Sequence, residues 1–140
     1  MTDRRHLADN KSALKESIFD MAEKILLVED HAASRANISR FLRLHSYQVV
    51  EVSDGEEALK LLATETIDLV VSDLALPTIH GLNLTQQIKS KWPNVPVIII
   101  SGFMSDEAGR LILDGKGEFL AKPLDLTVLA SKVHQLLGSR

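Results

Sequence analysis

The sequence predicts an α/β fold, a parallel sheet with helices on both faces, and three observations predict it. Short apolar runs, dense in Val, Ile and Leu, recur at 24–28, 67–73 and 97–101. A continuous run of this length reads as a strand buried on both faces, as in parallel sheets. Segments of helical period separate the runs, the alternation that builds βαβ units. The runs also end on lone polar residues, which in an open parallel sheet lie along one edge.

The first strand, 24–28, ends on Glu29-Asp30. A helix is expected over 32–45, with Ile38, Phe41, Leu42 and His45 on one side. A second strand spans 48–52. Ser53 and Glu56 have the capping-box spacing and open a helix to about Thr64, with Ala58, Leu61 and Leu62 facing inward. The central run ends on Asp73, before Pro77 and Gly81 break the pattern. A third helix, 81–91, carries Leu84 and Ile88 at i, i+4, and Pro93 and Pro96 frame a loop. The fourth strand, 97–101, is the most apolar and ends on Ser101. Ser105 and Asp106 cap a short helix to about Leu113, and Gly115 and Gly117 mark a turn. A short fifth strand, 118–121, ends on Lys122-Pro123. The last helix, 125–137, turns Leu129, Val133, Leu136 and Leu137 inward, and Gly138 is its expected stop. Right-handed crossovers leave few topologies for such a chain.

Residues 1–20 are a polar extension, a linker or a weak amphipathic helix through Leu7, Leu14 and Ile18; a single domain over 21–140 follows. The 140 residues are 45% hydrophobic and 25% charged, enough for one core. A net charge of −3 without a basic run gives no footprint for direct nucleic-acid binding. The absence of Cys excludes disulfide and thiolate chemistry. No apolar stretch is long enough to span a bilayer, and the N-terminus lacks the apolar centre of a signal peptide, so a cytoplasmic location is expected.

Glu29, Asp30, Asp73, Ser101 and Lys122 therefore converge at one sheet edge. Clustered carboxylates repel, which raises their pKa values, and a hard divalent cation such as Mg²⁺ relieves the repulsion. The ammonium and the hydroxyl suit a phosphoryl group, whose transfer needs chiefly positioning and charge neutralisation. A carboxylate can itself be the nucleophile, and Asp73 is the most central one.

Glu29-Asp30, then Asp73-x-x-Leu76-Pro77-x-x-x-Gly81, Ser101-Gly102 and Phe119-x-x-Lys122-Pro123 together resemble the response-regulator receiver domain, most simply a single-domain regulator of the chemotaxis type. The resemblance covers about residues 21–137 and implies a flavodoxin-like five-stranded sheet of order 2-1-3-4-5. It implies a two-component phosphorelay switch in which Asp73 accepts a phosphoryl group from a histidine kinase or phosphotransfer protein. It implies Mg²⁺ on Asp30, Asp73 and the backbone carbonyl of Ala75, with Glu29 acting through water. Lys122 would pair with the phosphoryl group and Ser101 would hydrogen-bond it. Ser101 and Phe119 would form the switch, and Lys122–Pro123 would be a cis bond. The chain would be a phosphoacceptor that assists its own phosphorylation and dephosphorylation rather than an enzyme acting on others. A downstream protein would dock on the helix after Ser101, the fifth strand and the last helix, and the chain would be a monomer or weak dimer.

Three positions depart from the commoner pattern: Glu29 for Asp, Leu76 for Met, and Phe119 for Tyr, so the switch ring has no hydroxyl. Ala75 and Phe103, two residues after Asp73 and Ser101, offer no base for hydrolysis, and a long-lived phosphorylated state is expected. Competing readings are a receiver fragment of a hybrid kinase or larger regulator, a phosphorylation-independent scaffold, and an aspartyl-nucleophile phosphatase. The last needs a second Asp where Ala75 stands.

Overall fold

In the computed structural model, the structure describes residues 22–102 and 118–138. Five parallel strands form one sheet of order β2-β1-β3-β4-β5. These are β1 (Lys24–Val28), β2 (Gln48–Val52), β3 (Leu69–Asp73), β4 (Val97–Ser101) and β5 (Glu118–Ala121). Among the described residues four helices cover it: α1 (Ala32–Leu44), α2 (Gly55–Thr64), α3 (Gly81–Lys91) and α4 (Leu126–Gly138). The extension, the helix expected over 105–113, the turn at Gly115 and Gly117, and Phe103 lie outside the described residues.

The order follows from apolarity. Every residue of β3 and β4 is buried, and β1 is buried after its first residue. β2 and β5 carry partly exposed positions and form the edges. Alternate side chains of each strand point to opposite faces. Ile25 and Leu27 join Val71, Ile98 and Ile100 against Ile38 and Leu42 of α1 and Leu129 and Val133 of α4. Leu26 and Val28 join Val70 and Ile99 against Ala58 and Leu62 of α2 and Leu84 and Ile88 of α3. The sheet is thus packed on both sides, as right-handed crossovers require.

Three local readings change. The box opening α2 is shifted by one residue, because Asp54 is the N-cap and its side chain accepts from the Glu57 N–H at 2.9 Å. The Glu57 carboxylate reaches back to the N–H of Ser53 at 3.1 Å. Both pairs have the same spacing, and the extended backbone of Asp54 decides between them. His45 is an exposed C-cap of α1 that lies against the Phe41 ring, and Ser39 takes the buried place beside Ile38 and Leu42. Gly138 is the last residue of α4 rather than a stop beyond it.

Gly81 locks α3 onto the end of the central strand. Its N–H donates to the Leu74 carbonyl at 2.8 Å. A Cβ there would stand 2.6 Å from Leu74 Cα and 2.7 Å from the Asp73 carbonyl oxygen. Only a residue without a side chain allows this approach.

Candidate functional site

Strand register brings the polar ends together. Val28 pairs with Ser72, so Glu29 follows at the level of Asp73. Asp73 pairs with Ile100, and Ser101 pairs with Ala121, which puts Lys122 just past the same edge. The strand order reverses direction between β1 and β3, the switch point where open α/β sheets bind ligands.

Asp73 is 5% exposed, and both its carboxylate oxygens are engaged. Oδ1 accepts from the Ala75 N–H at 3.1 Å, and Oδ2 accepts from Lys122 Nζ at 2.8 Å. The hydrogen bond to Asp73 raises the Lys122 pKa, partial burial opposes the rise, and the charges of Asp73, Glu29 and Asp30 add to it. Lys122 is thus held as an ammonium. Its backbone N–H donates to the Ser101 carbonyl at 3.0 Å, and the Lys122–Pro123 bond is cis.

Glu29, Asp30 and Asp73 each offer an oxygen within 4.8 Å of the others. Glu29 is buried, at 3% exposure, whereas Asp30 is exposed. The Glu29 carboxyl is pushed up to about 7, first by burial, then by its hydrogen bond to Asp73 and the Asp73 charge. The His31 N–H, 3.2 Å from Oε1, and the Lys122 charge pull it partly back. Two carboxyls this close repel when both are ionised, and a hard cation between them would relieve that repulsion. The three oxygen donors and the open exposure on the Asp30 side fit Mg²⁺, which prefers carboxylates and keeps several waters.

Ser101 is buried at the end of β4. Phe119 is half-buried on β5, opposite Ile99, and packs on the core beneath α2 and α3. A cleft of about 340 Å³ opens alongside, lined by Glu29 and Lys122 together with Ile38, Ile100, Leu124 and Leu126. The structure therefore gathers Glu29, Asp30, Asp73, Ala75 and Lys122, with Ser101 adjacent through its backbone. Sequence reasoning missed Arg35, whose guanidinium bonds the backbone of the acidic turn; its place four residues into the first helix was the available signal.

The family model described as the response regulator receiver domain matches residues 25–134. The chain belongs to the response regulator receiver domain family. The response regulator protein FleR of Pseudomonas aeruginosa is 35% identical over 114 residues, covering 81% of this chain and 24% of that protein. The sensor kinase CckA of Brucella abortus is 34% identical over 133 residues, covering 93% of this chain and 14% of its own length. The chain thus spans less than a quarter of the length of these curated relatives. Among solved structures, the receiver domain of a signal transduction histidine kinase from Syntrophus aciditrophicus is 30% identical, with a TM-score of 0.76 over 84% of this chain and 92% of that one. The receiver domain of the hybrid histidine kinase CckA is 38% identical, with a TM-score of 0.69 over 81% and 98%. The fold of this receiver domain, five parallel strands in the order 2-1-3-4-5, is the expected flavodoxin-like one. Among its described residues no helix is long and apolar enough to cross a membrane.

Proposed function

We propose that this receiver domain, spanning 21–140 with 1–20 as an extension, is a phosphorylation-controlled switch with Asp73 as its phosphoacceptor. The observation that carries the reading is the pairing of buried Asp73 with Lys122 beside two further carboxylates. An Asp73 oxygen attacks phosphorus as the P–N bond of a partner's phosphohistidine breaks, and the imidazole leaves with the electron pair. The product is an aspartyl phosphate. Lys122 moves from Asp73 to the transferred phosphoryl oxygens, and Ser101 donates a hydrogen bond to them.

Asp30, Asp73 and the Ala75 carbonyl would hold Mg²⁺, with Glu29 acting on it through water. When bound, such an ion would supply charge neutralisation for the transfer. The same residues assist formation and loss of the aspartyl phosphate, and the chain acts as a switch rather than on a separate substrate. As Ser101 moves toward the phosphoryl group, Phe119 rotates and biases the surface made by the segment after Ser101, β5 and α4, which a downstream protein reads. Leu44 and Val128 are the large exposed hydrophobics among the described residues, which supports a monomer or weak dimer. A cytoplasmic location suits the phosphohistidine donor.

Acetyl phosphate with Mg²⁺ should add one phosphoryl mass to the protein, Asp73→Asn should add none, and chelation should abolish the gain. A full gain in Asp73→Asn would reject the assignment. A second reading, a receiver within a hybrid kinase, is favoured by the likeness to the CckA receiver domain and shares this chemistry.

A further inference from the structure

The turn that carries the acidic pair is tied down by a cation outside the acidic cluster. Arg35 lies in the first turns of α1, and its Nη1 donates to the Glu29 carbonyl at 2.8 Å and to the Asp30 carbonyl at 3.5 Å. The Glu29 N–H donates to the Val52 carbonyl at 3.1 Å, and the His31 N–H to Glu29 Oε1 at 3.2 Å. Glu29 is therefore fixed from β2, from His31 and from Arg35. Asp30 is exposed, and its backbone carbonyl is bound by Arg35.

We propose that Arg35 is a positioning residue for the divalent cation: by binding two successive carbonyls it fixes the peptide planes around Asp30 and keeps that carboxylate turned toward Asp73. The inference rests on the metal reading given above. Groups that orient metal ligands through one hydrogen bond commonly change metal affinity tenfold or more when removed. Direct electrostatics act in the opposite sense, because a guanidinium near a cation site repels the ion. Loss of Arg35 thus weakens Mg²⁺ binding if positioning dominates and strengthens it if charge dominates, so the sign is diagnostic.

The test is calorimetric titration of Mg²⁺ into the parent, Arg35→Met, Arg35→Lys and Asp30→Ala proteins, with thermal unfolding in the absence of Mg²⁺ followed by Trp92 fluorescence. Arg35→Met should bind Mg²⁺ about tenfold more weakly, and Arg35→Lys, which keeps a donor, should recover part of the loss. An affinity within twofold of the parent, or tighter, overturns the proposal, even if the unfolding temperature falls. If Arg35→Met does not fold, the comparison of Arg35→Lys with the parent decides by the same sign. A parent that binds no Mg²⁺ rejects the metal reading and this inference with it. A parent that binds, an Asp30→Ala that does not, and an unaffected Arg35→Met reject the role of Arg35 alone.

Discussion

The ammonium of Lys122 lies 2.8 Å from Oδ2 of Asp73, across 49 residues of sequence. Asp73 is 5% exposed and Lys122 46% exposed, so Lys122 reaches the buried carboxylate from the solvent side. In the proposed switch, this cation neutralises Asp73 at rest and pairs with the phosphoryl group once one is attached. Lys122→Met should slow phosphorylation by acetyl phosphate roughly a hundredfold, the scale of losing one charged donor to a developing anion. The same change removes a positive charge from the acidic cluster, so Mg²⁺ should bind more tightly. Intact mass against time and calorimetry measure the two effects, and an unchanged rate would remove Lys122 from the transfer step.

Ser39 is 1% exposed on α1, and among the described residues its Oγ has no hydrogen-bond partner. A buried hydroxyl without a partner is destabilising, and Ala also favours the helix over Ser. Ser39→Ala should therefore stabilise the protein by about 1 kcal/mol. Urea unfolding checks this, and destabilisation would mean that the hydroxyl is bonded after all.

The strand ends were legible because central strands of a parallel sheet are apolar on both faces. The polar residue that closes each run then marks the edge where ligands bind; Glu29, Asp73 and Ser101 are legible this way, and Lys122 follows the short edge strand β5. Edge strands carry a weaker signal, as the Gln and Glu of β2 show. The cap of α2 was misread because Ser53/Glu56 and Asp54/Glu57 satisfy one spacing, and only backbone geometry separates them. The reach of Arg35 to two carbonyls depends on helix phase and turn shape together. The proton affinity of Glu29 depends on burial by several elements and on Asp73 beside it, which a linear pattern does not encode.

Gly81 was read as a break in the pattern, yet its lack of a side chain is what lets α3 approach the Asp73 carbonyl. Gly81→Ala forces backbone apart rather than a flexible side chain. Overpacking of this kind costs about 1–3 kcal/mol, equivalent to a fall of roughly 3–10 °C in unfolding temperature. Because the displaced backbone includes Leu74 and leads into Ala75, phosphorylation should slow as well. Trp92, the C-cap of α3, is half-buried against the same core and reports unfolding. A variant as stable and as rapidly phosphorylated as the parent would show that the turn has room to move.

Glu29 contributes a definite sign to the pH dependence of the metal-free protein's stability. Its carboxyl ionises near 4.5 when unfolded and about 7 when folded. Between these values the folded state holds a proton that the unfolded state has released, so stability falls as pH rises. The contribution is fully present below about 4.5 and lost through about 7. At roughly 1.4 kcal/mol per pH unit, the loss is of order 3 kcal/mol. Mg²⁺ competes with this proton, so its affinity should rise over the same window. Unfolding midpoints from about pH 5 to 8, with and without chelator, measure the slope. Glu29→Gln, which copies the shape of the protonated acid without titrating, should lose this part of the slope and be the more stable protein at the alkaline end. If parent and Glu29→Gln show the same slope, the proton is not held on Glu29.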